Sequence, residues 1–157
     1  MIRLLCITEY FKVIFRDQNL LLEFRRFVKS ELSQENLDFW LAVENFRKNN
    51  SSGKTSKCKS LLEAKKIYRK FVAPGASSEI NVEISHSRNI SQRLSLADID
   101  HGIFDAAQRE IYLLIKRDSF PRFKSKLESD LKSAKSWNFH LFILKLCENF
   151  ERFQNII

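Results

Sequence analysis

The chain has few of the residues that interrupt regular secondary structure. Among its 157 residues there are only 3 glycines and 2 prolines. Because glycine and proline mark most turns, this scarcity argues against a fold of many short strands and favours long helices. No alternation of apolar and polar residues typical of a strand, and no internal repeat, occurs either. The sequence therefore predicts an all-α bundle.

Residues that build catalytic and cofactor sites are also scarce. The 3 histidines lie far apart, so no pair has the four-residue spacing found on the helix of a zinc hydrolase. The 3 glycines are equally isolated, which excludes a glycine-rich loop that cradles phosphates. No Gly-x-Ser-x-Gly nucleophile elbow occurs. We therefore expect no active site, no metal and no cofactor in this chain.

The cysteines point to a reducing compartment. Cys6, Cys58 and Cys147 are odd in number and widely spaced, so they form neither a metal pattern nor a disulfide framework. The segment before residue 16 is too short and too charged to cross a membrane. A half-buried structural role for Cys6 is favoured over lipidation. We expect a cytoplasmic protein, with peripheral attachment to the inner face of the plasma membrane as a further option.

Positive charge is plentiful. The net charge of +8 permits nucleic acid, an anionic membrane or an acidic protein as the partner, and selects none of them. Seven basic residues crowd the stretch from Lys54 to Lys70, where only Glu63 opposes them. A solvated surface is the favoured interpretation of this cluster.

Hydrophobic spacing predicts a series of helices. The 14 phenylalanines recur mostly at helical intervals. Helices are predicted at residues 2–15, 19–32, 34–49, 60–72, 86–96, 98–116, 118–132 and 137–153. The last of these belongs to a strongly apolar segment, residues 134–157, which is expected to pack as a final helix. Its alternative is a helix that docks on a partner or lies on a membrane surface.

One helix start carries polar residues that burial does not explain. Ser33 is predicted to be an N-cap, so Glu35 and Asn36 lie in the first turn of the helix that follows. Phe39 and Trp40 continue into the core. Polar side chains at the mouth of a rigid helix, beside a loop, are typical of a binding site.

Three blocks of the sequence together resemble the regulator of G-protein signalling (RGS) domain family. The first is Phe27–Trp40; the second is Ala64–Tyr68 followed by Glu79–Asn81; the third runs from Phe104–Gln108 through Asp118–Phe123. The blocks occur in order and with family-like spacing. The resemblance assigns residues 1–133 to an RGS domain, with the core of the match starting at about residue 10, and leaves 134–157 outside it.

The resemblance implies a bundle of about nine helices that binds the α subunit of a heterotrimeric G protein (Gα) in its GTP-bound or transition state. Gα carries its own arginine and hydrolyses GTP slowly, at about 10⁻² s⁻¹. A domain that holds the flexible switch segments of Gα in their transition-state arrangement lowers the barrier without donating a catalytic group. Such a protein terminates receptor signalling and needs no active site of its own.

The resemblance also places the Gα-binding residues in three regions. They are Glu31, Ser33, Glu35 and Asn36; then Asn81; then Leu114, Asp118, Ser119 and Arg122. In the family, the asparagine matching Asn36 reaches toward the glutamine beside the attacking water. Asp118 is expected to accept hydrogen bonds from the backbone of a switch threonine, and Arg122 to buttress it. Helix capping is the plainer role for Asp118 and Ser119, and it is compatible with binding.

Some positions depart from the family pattern or extend it. Leu32 stands where many relatives carry an aromatic residue, and Val43 replaces a common cysteine. The resemblance further suggests a basic face for anionic lipid or calmodulin, formed by Arg47, Lys48, Lys65 and Lys66. Two other functions were weighed against Gα activation: an RGS-like scaffold that binds without activating, and a nucleic-acid module. The charge alone motivates the latter and no recognition motif accompanies it, so no nucleic acid is expected.

Overall fold

A computed structural model of the chain describes Ile14, residues 17–51 and residues 55–133. These residues form six α-helices and one π-helical turn, and no strand occurs among them. The elements are α1 (Gln18–Ser30), α2 (Gln34–Ser51), α3 (Lys57–Ile67), the π-turn (Tyr68–Val72), α4 (Ile84–Ser95), α5 (Asp105–Arg117) and α6 (Ser119–Ser133). The predicted all-α class is confirmed. The helix predicted at 137–153, and all of the one predicted at 2–15 except Ile14, lie outside the described residues.

The chain divides into two compact units, Arg25–Arg117 and a terminal unit made of Met1–Phe24 with Asp118–Ile157. The first unit has an aromatic core. The Phe39 ring lies 5.8 Å from that of Phe71 and 6.3 Å from that of Phe104, which in turn lies 5.7 Å from Phe46. All four rings are buried, as is Val43 between the two α2 phenylalanines. This core fixes α2, which carries the first of the predicted binding regions.

In the terminal unit, the rings of Phe24 and Phe123 lie 5.0 Å apart and both are buried. Leu20 precedes Phe24 by one helical turn and is buried as well. Asp17 caps the start of α1, since its side chain accepts the backbone N–H groups of Asn19 and Leu20 at 2.9 and 3.0 Å. Leu20, Phe24 and Val28 are buried at helical spacing, which agrees with the helix predicted here.

A buried polar bridge joins α2 to α5. Gln108 is only 6% exposed, and its amide donates to the carbonyl oxygen of Trp40 at 3.3 Å and to the Glu44 carboxylate at 2.8 Å. The amide oxygen accepts from Arg47 at 2.6 Å, and Arg47 also pairs with Asp105 at 2.7 Å. Trp40, which was expected in the core, stays half-buried beside this bridge.

Helix α1 ends two residues before the predicted boundary. The N–H of Ser33 bonds to the Val28 carbonyl at 2.9 Å, and the N–H of Leu32 to the Lys29 carbonyl at 3.2 Å. This pair of bonds is a Schellman ending, which requires a left-handed residue just past the helix. Leu32 takes that position with φ of 55°. The apolar pattern continued through Leu32, and so the prediction of a helix to residue 32 was wrong.

The connection between the helices predicted at 34–49 and 60–72 is shorter than those bounds imply. Helix α2 continues to Ser51, and α3 begins at Lys57 because the Ser56 hydroxyl accepts the N–H of Lys59 at 3.4 Å. At its other end, α3 passes into the π-turn, where the N–H of Ala73 bonds to the Tyr68 carbonyl at 2.9 Å. The predicted stop is confirmed, since Ala73 is extended and Gly75 has φ of 75°.

Helix α5 begins at Asp105, later than the predicted start at residue 98. The acidic residues before Asp105 form ion pairs and do not start the helix: Arg93 pairs with Asp98 at 3.1 Å and with Asp100 at 2.9 Å. Asp100 also accepts the N–H of Gly102 at 2.8 Å, which stabilises a turn instead of a helix. Before this turn, α4 ends with Ala97 in the left-handed region, at φ of 53°.

Candidate protein-binding site

The first binding region lies between α1 and the first turn of α2. Glu31, Ser33 and Glu35 are half-buried there. The predicted capping bond of Ser33 is not formed. Its hydroxyl donates to the Val28 carbonyl at 3.3 Å, because the Schellman ending of α1 draws Ser33 back over the preceding helix. The Ser33 hydroxyl therefore stabilises the turn between α1 and α2 and does not cap α2.

Asn36 is the most constrained polar residue of this region. It is 8% exposed, and its amide nitrogen donates to the Glu35 carboxylate at 3.2 Å. Its amide oxygen is buried and accepts no hydrogen bond within the described part of the chain. A buried acceptor without a donor costs about 1–3 kcal/mol. The Asn36 oxygen thus lowers the stability of the fold, which indicates that it has a role in binding a partner.

Leu32, four residues before Asn36, is the second unusual residue of this region. Its side chain is 90% exposed, although it is large and apolar. The left-handed backbone that carries it is a conformation that leucine adopts at a cost of about 1–2 kcal/mol. The hydrophobic pattern, which predicts Leu32 as the last helical residue, does not reveal this. The available signal was the mismatch with relatives that carry an aromatic residue there.

Asn81 lies in the extended segment between the π-turn and α4. The N–H of Ile80 bonds to the carbonyl of Phe71 at 2.8 Å, and the Ile80 side chain is buried. This attachment presents Asn81 outward: it is exposed, and its side chain forms no hydrogen bond with any described residue. No hydrogen bond joins it to Glu31–Asn36 among the described residues. Leu114 lies on the C-terminal half of α5 and is half-buried.

The remaining predicted residues belong to the terminal unit. Asp118 directly precedes α6 and is exposed, while Ser119 is buried at 5% exposure. Arg122 donates to both oxygens of Asp118, with Nη2 to Oδ2 at 3.1 Å. The hydrogen bond and charge of Arg122 lower the pKa of Asp118 below its ordinary value. Asp118 is therefore an anionic acceptor held in place by a neighbour one helical turn away.

The four residues of the predicted basic face differ in what they contact. The Arg47 guanidinium is occupied by Glu44, Asp105 and Gln108, as part of the bridge between α2 and α5. Lys48, Lys65 and Lys66 are exposed. Lys65 lines a groove of about 510 Å³ between the α3–π-turn segment and α4. Its other lining residues are Tyr68, Arg69, Ser91, Leu94 and Ser95. This groove combines two cations with three hydroxyl groups.

In the Arg25–Arg117 unit, polar side chains lie at the start of α2 and on an extended segment attached to the buried Phe71, which is an arrangement suited to binding a partner. Within the described residues no group of three potential metal ligands occurs, and no helix is long and apolar enough to cross a membrane. Sequence comparison specifies the class. The pattern of the family described as the regulator of G protein signaling domain matches residues 10–131. The chain belongs to this family.

Individual relatives agree with the assignment. Human "Regulator of G-protein signaling 21" is 38% identical over 128 residues, which cover 81% of this chain and 80% of the relative. Xenopus laevis "Regulator of G-protein signaling 1" is 39% identical over 100 residues, or 64% of this chain and 46% of the relative. The pig (Sus scrofa) "Regulator of G-protein signaling 5" is 39% identical over 103 residues, 66% of this chain and 53% of that protein. The chain thus spans about half the length of the frog and pig relatives.

Proposed function

We propose that this protein is a GTPase-activating protein for Gα subunits, which it binds through the residues described above. The buried amide oxygen of Asn36, which accepts no hydrogen bond from the described residues, is the observation that carries the proposal. Membership of the family indicates Gα as the partner, and the Asn36 amide is a group that can bind its switch segments. An amide can donate and accept at once, so it can hold a switch residue and a glutamine of Gα in one fixed arrangement.

The expected mechanism is preorganisation. Gα already holds its arginine, its magnesium ion and its attacking water, and its slow step is limited by how rarely the switch segments adopt the reactive geometry. A hydrogen bond from Asn36 that forms fully only in that geometry lowers the barrier, because it stabilises the transition state more than the ground state. One such bond is worth about 3 kcal/mol, or a rate factor of about 100.

The other residues bind the switch segments without acting on the reacting atoms. Asn81 and Leu114 contribute an exposed amide and an apolar contact from the Arg25–Arg117 unit. Asp118 accepts backbone N–H groups of a switch segment, as its negative charge and its attachment to Arg122 allow. Glu31, Glu35 and Ser119 complete the polar contacts. Leu32 adds an apolar side chain that is already exposed, so that binding requires no rearrangement.

Single-turnover GTP hydrolysis by a panel of purified Gα subunits, with and without this chain, tests the proposal. We expect acceleration of at least one Gα, and a loss of about tenfold or more in Asn36→Ala. The variant should melt at the wild-type temperature or above it, since it removes a buried oxygen that accepts no hydrogen bond from any described residue. Asn45→Ala, an exposed asparagine on the same helix, is the matched control and should activate normally.

Failure to accelerate any Gα in the panel would refute the proposal. Binding to Gα without acceleration would instead support the second candidate, a scaffold that docks on Gα and leaves its GTPase rate unchanged. Co-sedimentation or surface binding with GTP-bound Gα, performed alongside the kinetic assay, separates these two results.

We further propose that the protein works at the inner face of the plasma membrane, where the basic groove contacts anionic headgroups. Lys65 and Arg69 provide the positive charge, and Ser91, Ser95 and Tyr68 provide hydroxyl donors. Arg47 does not take part, since carboxylates of α2 and α5 already occupy its guanidinium. Calmodulin, an acidic protein, is the other partner of suitable charge for this face.

A further inference from the structure

The side chain of Glu110 on α5 reaches across to the start of α4. Its Oε2 atom accepts the backbone N–H of Glu83 at 3.1 Å and lies 3.7 Å from Nε2 of His86. The carboxylate therefore contacts the residue that precedes α4 and a residue in its first turn. Neither the family resemblance nor the charge pattern of the sequence marks Glu110 as a functional residue.

This contact lies at the N-cap position of α4. Glu83 occupies the N-cap position, yet its own side chain forms no capping bond with the helix. That side chain accepts the hydroxyl of Ser85 instead, at 2.8 Å. The outward-facing N–H of Glu83 is held by Glu110 alone among the described residues. Glu110 thus joins the end of the extended segment to α5.

Asn81 lies between two attachment points of the backbone. Ile80 is held by its bond to the Phe71 carbonyl and by burial, and Glu83 is held by Glu110. Only Asn81 and Val82 separate these points. Because both ends of so short a span are attached, the directions in which Asn81 can project are restricted. Loss of the Glu110 bond leaves the Glu83 N–H without an acceptor among the described residues, and Glu83 is then held through its carbonyl, which accepts the N–H groups of His86 and Ser87.

Glu110 also connects Asn81 to another predicted contact. Leu114 follows it by one helical turn, so the two side chains lie on the same face of α5. The helix face that presents Leu114 to a partner therefore also sets the position of the segment that presents Asn81. This connection lies entirely within the Arg25–Arg117 unit.

We infer that Glu110 is a positioning residue for Asn81: its carboxylate fixes the Asn81 segment in the conformation that binds the partner. The inference rests on the proposed function, because it treats Asn81 as a contact with Gα. Under this inference, position 110 must carry a hydrogen-bond acceptor long enough to reach the N–H of Glu83. The acceptor acts through the Glu83 amide and touches neither GTP nor the reacting atoms.

Three substitutions separate this role from simple stabilisation. Glu110→Gln keeps an oxygen at the same reach, so it still accepts the Glu83 N–H without the charge. Glu110→Asp keeps the charge on a side chain shorter by one methylene, which no longer reaches. Glu110→Ala lacks an acceptor altogether. Glu63→Ala is the matched control, since Glu63 accepts a bond from Asn49 at 3.2 Å between α2 and α3 and plays no part in the proposed site.

The kinetic test measures single-turnover GTP hydrolysis by Gα over a range of concentrations of each variant. For Glu110→Ala and Glu110→Asp we expect the half-maximal concentration to rise about threefold to tenfold, with the maximal rate nearly unchanged. Glu110→Gln should stay within about twofold of wild type. In an Asn81→Ala background, Glu110→Ala should add no further loss, because both changes remove the same contact.

Equal losses in Glu110→Gln and Glu110→Ala, or a full additional loss in the Asn81→Ala background, would overturn the inference. Hydrogen exchange of the Glu83 amide tests the contact without Gα. It should quicken in Glu110→Ala and Glu110→Asp and remain slow in Glu110→Gln and Glu63→Ala. Unchanged exchange in all variants would also overturn it. If the exchange changes as expected while wild type fails to accelerate Gα, then the proposed function is at fault and the Glu110 contact is not.

Discussion

Leu32 offers a test in which stability and activity move in opposite directions. Its φ of 55° is the left-handed conformation, which costs a non-glycine residue about 1–2 kcal/mol. Glycine avoids that cost but loses about 0.5–1 kcal/mol through the greater freedom of the unfolded chain. At 90% exposure, Leu32 gives up almost no buried area when it is replaced. Leu32→Gly should therefore stabilise the fold by about 0.5–1 kcal/mol and raise its melting temperature by about 1–4 °C.

Activation of Gα should fall in the same variant. Burying a leucine side chain against a partner contributes up to about 1.5–3 kcal/mol. Its loss should therefore raise the concentration needed for half-maximal activation by about tenfold or more. Leu32→Ala separates the two effects, because it retains the left-handed backbone and removes most of the side chain. It should activate as poorly as Leu32→Gly and melt at the wild-type temperature.

Ala97→Gly provides the matched control for the backbone. Ala97 ends α4 with φ of 53° and is exposed, so its replacement should give a similar gain in melting temperature with no change in activation. Melting is followed by circular dichroism and activation by single-turnover hydrolysis. A lower melting temperature for Leu32→Gly beside a higher one for Ala97→Gly would refute the strain argument. Wild-type activation by both Leu32 variants would refute the docking role.

Three further outcomes are expected. Because Arg122 lowers the pKa of Asp118, that carboxylate stays ionised well below neutral pH. The ratio of activation by wild type to activation by Asp118→Asn should therefore hold constant from about pH 8 to about pH 5.5. A ratio that falls toward one near pH 6 would contradict this. Gln108→Ala should lower the free energy of unfolding in urea by about 2 kcal/mol, since the Trp40 carbonyl and the Glu44 carboxylate lose the donor that Gln108 provides. A change below about 0.5 kcal/mol would contradict this. Lys65→Glu should reduce co-sedimentation with vesicles containing about one-third phosphatidylserine by about tenfold, whereas equal binding by both proteins would remove the groove from membrane contact.

The features that the sequence predicted well depend on local periodicity. Phe39, Val43 and Phe46 recur at helical intervals and are fully buried, and Ile90 and Leu94 are buried four residues apart on α4. Periodicity identifies a helix face because burial follows the repeat of the backbone. It does not identify helix ends, which depend on a few hydrogen bonds. The Schellman ending at Leu32 and the acidic turn before α5 were missed for that reason.

The site was predictable only in part. Asn36 stands out in the sequence as a polar residue at the start of a helix that continues into the core, but the lack of a described donor for its oxygen depends on how the side chains pack around it. Arg47 looks like any other surface cation until Asp105 and Gln108 approach it from α5. Glu110 contacts a backbone N–H 27 positions away. No local pattern encodes that contact, because its acceptor and donor meet only through tertiary structure.

The pairing of arginines within the Arg25–Arg117 unit has a consequence for how the protein responds to salt. Arg47 and Arg93 join parts of the fold through carboxylates, whereas the exposed Lys59, Lys65 and Lys66 form no ion pair with any described residue. Screening shortens the reach of an exposed charge from about 10 Å at 0.1 M salt to about 3 Å at 1 M, and it weakens partly buried pairs far less. High salt should therefore detach the protein from an anionic surface while it remains folded. The proposed attachment and the folding of this unit thus depend on different charges, so salt should abolish the first without the second.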